Sequence, residues 1–432
     1  MIYLDNAATT KPAPEVVSAM LPYIKEAFGN PSAVYRPGAE AKKALTESHD
    51  QVASLIGAKP EEIFFTSGGS EADNWALTAV FDQLSSRGNH IITTGIEHPA
   101  VLRTCEYLQK FRGAQVTYLD VDENGFVDPA AVEAAITDQT ILISVMAANN
   151  EIGTIEPIAE IADVAHAHGI LMHTDAVQAY GQIPFTVDDW HVDLLSASGH
   201  KFNGPKGTGF LYIRRGTQIG SFIHGGAQER NRRAGTENVP GIVGMGKAAE
   251  LAAAGLEEKI RRETELRNYL ICQIREKITC CRLNGPDPFS GVVNTRMSSL
   301  HKTAGANTRM NSLQPATDFN GPDQLPDTAR RLPGNVNFSF EFAEGESIVI
   351  MLDMQGICAS SGSACSSGSL SPSHVLKSIG LSDDLAKGAV RFTLSGETTK
   401  EELDKTVDAL VGIVDRLRSM SANYAAFCRD RK

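Results

Sequence analysis

Between about residue 12 and residue 250 the chain alternates short β-rich runs with stretches of helical periodicity, and no other feature restricts its fold as tightly. Strand after helix after strand is the pattern of a mostly parallel sheet with helices on its faces. Strands are predicted at 62–66, 90–94, 115–119, 140–145, 171–174, 194–196 and 208–213, with helices at 70–84, 100–110, 129–135 and 158–168 between them. The expectation is an α/β protein whose large domain, residues 13–255, holds a mostly parallel seven-stranded sheet. A helix at 256–277 then leads to strands at 335–340 and 390–394 and helices at 347–354 and 401–420, a smaller α+β domain that residues 1–12 join. Residues 286–331, rich in Asn, Thr, Ser, Pro and Gly, break the pattern and read as an inserted loop. Within it Asn294-Thr-Arg-Met-Ser-Ser-Leu300 recurs as Asn307-Thr-Arg-Met-Asn-Ser-Leu313, too short to be a solenoid unit.

Composition removes several classes of function. A formal charge of -12 argues against a large phosphate-binding surface, so direct nucleic-acid binding is not expected. No apolar run approaches the roughly 20 residues of a membrane helix. The start, Met1-Ile-Tyr-Leu-Asp-Asn6, lacks the basic and apolar regions of a secretory signal. A cytoplasmic protein is expected. Its 7 cysteines are an odd number without a repeated CxxC, which favours reduced thiols over a disulfide framework or a zinc site.

The chemistry gathers in a few stretches. Ser196-Ala-Ser-Gly-His-Lys-Phe-Asn-Gly-Pro-Lys-Gly207 follows a strand and is crowded with small residues that let a ligand approach the backbone. Its candidate reactive group is Lys201, which would form a Schiff base with the aldehyde of pyridoxal 5′-phosphate (PLP); the bland alternative is a solvated lysine in a turn, and Lys206 is the decoy. Upstream, His173-Thr-Asp-Ala-Val-Gln178 ends an apolar strand with an acid, so Asp175 could hold the pyridine nitrogen and Gln178 the ring hydroxyl, unless Asp175 is merely a helix cap. Thr66-Ser-Gly-Gly-Ser-Glu71 runs from a strand into a helix, where Gly69 and Ser70 could cradle a phosphate; Ser70 with Asp73 also reads as a capping box. His98, just after a strand, could stack on a cofactor ring and move protons, or be structural. A metal site from His98, His166, His168 and His173 fails, because residues two apart on a helix face different ways.

The most informative stretch is Ser360-Ser-Gly-Ser-Ala-Cys-Ser-Ser-Gly-Ser369, where every residue but the cysteine is Ser, Gly or Ala. That composition predicts a mobile, exposed loop, which places Cys365 to react and to travel. In Val390-Arg-Phe-Thr-Leu394 the planar guanidinium of Arg391 could clamp an amino acid's carboxylate.

In order along the chain, Tyr3-Leu-Asp-Asn-Ala-Ala-Thr-Thr10, Thr66-Ser-Gly-Gly-Ser-Glu71, Asn149-Asn-Glu-Ile-Gly153, His173-Thr-Asp-Ala-Val-Gln178, Ser198-Gly-His-Lys201, Gly225-Gly-Ala-Gln-Glu-Arg230, Arg233-Ala-Gly-Thr236 and Ser361-Gly-Ser-Ala-Cys365 resemble the cysteine desulfurases of the NifS/IscS type, fold-type I PLP enzymes. The resemblance implies that Lys201 is the Schiff-base lysine, with Asp175 and Gln178 on the ring and His98 stacked over it. It places the phosphate on Gly69, Ser70, Ser198 and His200, with Thr236 reaching in from the second subunit of a homodimer. It gives the carboxylate of the substrate, L-cysteine, to Asn150 and Arg391. Cys365 becomes the sulfur acceptor, and the Ser-Gly-Ser-Ala-Cys form resembles the group whose long cysteine loop hands sulfur directly to partner proteins. Competing readings are a selenocysteine lyase or aminotransferase on the same scaffold, and a non-catalytic sulfur-transfer scaffold. Two features depart from the family's pattern: the segment 286–331, and a second thiol, Cys358, seven residues before Cys365.

Overall fold

The computed structural model describes residues 1–290, 330–361 and 372–430. Its strands are β1 (Ile2–Tyr3), β2 (Ile63–Thr66), β3 (His90–Thr94), β4 (Gln115–Leu119), β5 (Thr140–Ser144), β6 (Leu171–Asp175), β7 (Leu194–Ser198), β8 (Gly209–Ile213), β9 (Cys281–Leu283), β10 (Asn335–Phe340), β11 (Ile357–Cys358), β12 (Ser360–Ser361) and β13 (Ala389–Thr393). Seven of them form one sheet in the order β2-β8-β7-β6-β5-β3-β4. Only β8 runs against its neighbours, so the other six strands end on one edge. Such an edge, at the carboxyl ends of parallel strands, is where open α/β sheets bind ligands.

Both faces of this sheet are covered, which is why its strands read as continuous apolar runs. Trp75, Leu77, Val101, Cys105 and Leu108, from the helices Gly69–Leu84 and Pro99–Arg112, lie over one face. Leu45, Val52, Ile161, Tyr180, Ile242 and Met245 belong to the core on the other. Two helices there, Pro14–Lys25 and Arg36–Ser54, carry no strong sequence signal. The third member of that layer, expected at 256–277, begins much earlier and runs unbroken over Val239–Lys277, so the 255/256 boundary falls inside a helix. Its first turns hold Gly241, Gly244 and Gly246, poor helix formers that hide the start. The glycines serve packing: a Cβ on Gly244 would lie 2.7 Å from Met20 Sδ, and one on Gly246 3.0 Å from Ser48 Cα.

The far end of the long helix brings Leu270, Ile271 and Ile274 into a second core with Leu4, Phe338, Phe340, Phe392 and Leu410. That core lies on an antiparallel sheet of order β12-β13-β10-β9, in which Arg391 faces Asn337 and Ser360 across the ladder. Of the segment 286–331, its first five residues and its last two are described. Arg331, read from sequence as the end of a loop, is in fact buried: its guanidinium donates to the carbonyls of Asn284 (2.8 Å), Pro286 (3.1 Å) and Asn335 (2.8 Å), which brings the two ends of the segment together. Among the described residues no helix is long and apolar enough to cross a membrane.

Candidate active site

Four strands of the large sheet deliver the expected residues to one place. β6 ends at Asp175, β7 runs into Gly199-His-Lys201, β3 leads to His98, and β2 leads through Ser67-Gly68 into the helix Gly69–Leu84. That helix is capped by Gly68, with no side-chain capping bond, and the expected box of Ser70 with Asp73 does not form. Its first-turn N–H groups are therefore available to an anion. Gly69 has to be glycine, since a Cβ there would sit 2.5 Å from Val177 Cγ2 and 3.6 Å from Ser198 Cβ. The close approach sets the helix start against the ends of β6 and β7. Thr236 is exposed, on the loop before the long helix.

Lys201 is half-buried and its Nζ donates to the carbonyls of Ala7 (2.5 Å) and Ala8 (2.9 Å) in the amino-terminal segment; Lys206 is exposed. The same Ala7 carbonyl accepts from Gln178 Nε2 at 3.0 Å. His200 Nδ1 lies 3.2 Å from Thr9 Oγ1, and burial with the neighbouring Lys201 and Lys206 charges lowers its pKa to about 4. It is neutral at physiological pH.

Asp175 is buried, and one of its oxygens accepts from the Val177 N–H at 2.9 Å. Burial raises its pKa, against the pull of His98, the Val177 N–H and Lys201. His98 caps the helix Pro99–Arg112 by accepting from the Ala100 N–H at Nδ1, 3.1 Å. Burial lowers its pKa, Asp175 raises it, and Lys201 and His374 lower it further. The cap assigns the proton of a neutral ring to Nε2. Of the four histidines weighed as metal ligands, His166 pairs with Asp193 and His173 lies between Ser144 and Ser196, so they do not converge. Among the described residues the converging group of ligand atoms is Asp73, His98 and Asp175, all within 4.8 Å of one another.

Arg391 enters from the smaller sheet. Nη1 donates to the Asn150 carbonyl at 3.0 Å, Nη2 donates to Asp5 Oδ1 at 2.8 Å, and among the described residues the buried Nε has no partner. Asp5 was not singled out from the sequence as a site residue, although it lies in the Tyr3-Leu-Asp-Asn stretch; the pair joins residues 386 positions apart. Cys365 lies outside the described residues, but the helix His374–Ser378 that follows its segment is anchored here. Ser373 Oγ donates to Glu151 Oε2, and His374 Nε2 lies 3.0 Å from the Glu97 carbonyl.

An amine, a buried carboxyl at a strand end, an imidazole and an uncapped helix start form a donor set that fits a phosphorylated pyridine aldehyde. The buried Arg391, with one N–H unpaired, adds a place for a carboxylate. Comparison with known proteins agrees with this reading. The family model for the aminotransferase class-V family matches residues 2–312 and 318–406, and its break falls within 286–331. A cysteine desulfurase IscS of Dictyoglomus turgidum is 49% identical over 420 residues, 97% of this chain and 96% of that protein. A solved NifS-like protein superposes with a TM-score of 0.81 at 34% identity, covering 96% of this chain and 99% of its own. A structure of SspA in complex with cysteine gives a TM-score of 0.74 at 32% identity, covering 92% and 100%.

Proposed function

The chain belongs to the aminotransferase class-V family and is a cysteine desulfurase within it, and on that premise we infer that it moves the sulfur of L-cysteine onto Cys365 as a persulfide and releases L-alanine. The observation that carries the reading is the meeting of Lys201, Asp175 and His98 beside an uncapped helix start, with Arg391 presenting an unpaired N–H. In it Lys201 is the covalent anchor of PLP. Asp175 would hold the pyridine nitrogen, Gln178 the ring hydroxyl, and His98 would pack against the ring. Gly69, Ser70, Ser198 and His200, with the partner subunit's Thr236, bind the phosphate in a homodimer.

When bound, PLP supplies an electron sink for the charge left at the substrate's α-carbon once its proton is lost. The chain's own residues do the rest. Arg391, with the Asn150 side chain, fixes the substrate carboxylate and so the direction of the thiol. Lys201 Nζ takes the proton from the α-carbon, and His98, which bears its proton at Nε2, donates toward the β-carbon. The Cys365 thiolate attacks the substrate sulfur: an S–S bond forms, the C–S bond breaks, and the β-carbon takes a proton, which balances as cysteine plus thiol giving alanine plus persulfide. No outside oxidant is consumed. The persulfide then passes to a sulfur-acceptor protein, for iron–sulfur cluster assembly or thiolation of tRNA or a cofactor, in the cytoplasm. The large unit ends and the small one begins within the helix Val239–Lys277, near residues 255–256.

Lys201→Ala and Lys206→Ala test the Schiff-base assignment. Lys201→Ala should lose the visible absorbance of lysine-bound PLP and all alanine release, while Lys206→Ala keeps both. Turnover by Lys201→Ala would remove the assignment.

A further inference from the structure

Asp73 has no part in the reaction as described, yet it is one of the most constrained acids in the protein. It lies one turn into the helix Gly69–Leu84, on the side facing β6 and β7, and is 1% exposed. Its Oδ1 is buried with no hydrogen-bond partner among the described residues, and it stands 3.7 Å from His173 Nε2. One of its oxygens, one of Asp175 and a ring nitrogen of His98 all lie within 4.8 Å of one another. Two carboxylates so close and so deep repel each other, which favours one of them keeping its proton.

The surroundings decide which one holds the negative charge. Asp175 accepts a backbone N–H and lies under the influence of His98 and Lys201. Besides His98, which it shares with Asp175, Asp73 has His173 as a neighbouring base, whose Nδ1 meets Ser144 Oγ at 2.8 Å and whose Nε2 meets Ser196 Oγ at 3.0 Å. Burial holds that imidazole neutral, with its pKa near 3, so it brings no cation. The other charged group felt by Asp73 is the buried acid Glu97, which adds repulsion.

We propose that Asp73 is a positioning residue for the cofactor: it stays protonated and, as a neutral acid behind Asp175, leaves the single negative charge on the carboxylate that meets the pyridine nitrogen. Burial and the Asp175 charge raise its pKa, with the Ser196 hydroxyl opposing the rise, and the net direction is upward, in keeping with that state. The inference rests on the PLP reading above. It explains why an acid stands where an apolar residue would pack: a protonated carboxyl puts a polar group beside Asp175 and adds no second charge.

The test is an infrared difference spectrum, wild type minus Asp73→Asn, recorded with and without PLP. Subtraction cancels the other buried acids, Glu97 and Glu156 among them. A protonated-carboxyl stretch should appear between pH 6 and 9 in both spectra. Asp73→Asn, neutral and polar, should lose PLP within about twofold of the wild-type rate, whereas Asp73→Ala, which removes the polar group beside Asp175, should lose it about tenfold faster. An absent stretch, or Asp73→Ala with wild-type retention, overturns the proposal. If Asp73→Ala does not fold, the spectrum and the Asp73→Asn rate still decide. Failure of the wild type to bind PLP would overturn the underlying reading instead, because the cofactor-free spectrum reports the proton on Asp73 independently.

Discussion

Arg391, in the smaller sheet, and Arg331, just before its strand β10, are equally buried, each 2% exposed, and their environments differ in kind. Each nitrogen of Arg331 has an acceptor: Nε donates to the Asn335 carbonyl, Nη1 to those of Asn284 and Pro286, and Nη2 to Asn335 Oδ1. Arg391 has a carboxylate, a carbonyl and, among the described residues, an unpaired Nε. Buried donors are almost always paired, and leaving one unpaired costs about 1–3 kcal/mol. A fold that gives every nitrogen of one buried arginine an acceptor and leaves one nitrogen of another bare marks the first as a strut and the second as a receptor.

The largest effect expected from this contrast is at Arg391. Arg391→Lys keeps the charge but not the planar fork, and loss of a charge-assisted pair in a buried setting is worth about 3–4 kcal/mol. The kcat/KM for L-cysteine should fall about 10²–10³-fold, most of it in KM, with PLP content unchanged. A variant with wild-type KM would make Arg391 a second strut.

Arg331→Met is the complementary test. It strips hydrogen bonds from the buried carbonyls of Asn284, Pro286 and Asn335, and the loss should be about 3–4 kcal/mol of unfolding free energy. Burial already lowers the arginine's pKa to about 9, so the site tolerates the charge only because each nitrogen has an acceptor. The check is the urea midpoint together with KM: stability should drop while KM for cysteine in the folded fraction stays within about twofold. A shift in KM matching that of Arg391→Lys would erase the distinction.

The same contrast separates what the sequence displays from what it hides. Lys201, Asp175 and His98 sit just past apolar strands, and strand ends in an α/β pattern can be read as a shared edge. Arg331 closes a stretch of Asn, Ser, Thr and Pro that looks like solvated loop, and nothing local shows that its partners are 45 residues upstream at Pro286 and 47 at Asn284. The pairing of Asp5 with Arg391 is hidden for the same reason. Asp73 resembled part of a capping box because the spacing from Ser70 is right, whereas the helix takes Gly68 as its cap and turns Asp73 inward. Periodicity failed once in the fold, where the glycines of the long helix trade helix propensity for close packing on Met20 and Ser48.

The smallest expected effect concerns Glu151, which lies between the two arginines' neighbourhoods. Its carbonyl accepts from Asn335 and Asn337, and its carboxyl accepts from Ser373 Oγ, at the root of the segment that carries Cys365. Burial raises the pKa of its carboxyl to about 7, with the Ser373 bond and the Arg391 charge opposing the rise. An unfolded glutamate titrates at about 4.3, so the folded state binds this proton more tightly than the unfolded state. The contribution to stability is therefore fully present below about pH 4.3 and is lost as pH rises through about 7. Between pH 5 and 8 the group should remove about 2–3 kcal/mol from the unfolding free energy. Glu151→Gln, which keeps an acceptor for Ser373, should flatten that part of the stability–pH curve and be more stable than wild type at pH 8. Parallel curves for the two proteins would mean that Glu151 stays ionised in the fold, with Arg391 holding it as a counter-ion, and Arg391 would then have a second carboxylate partner beside Asp5.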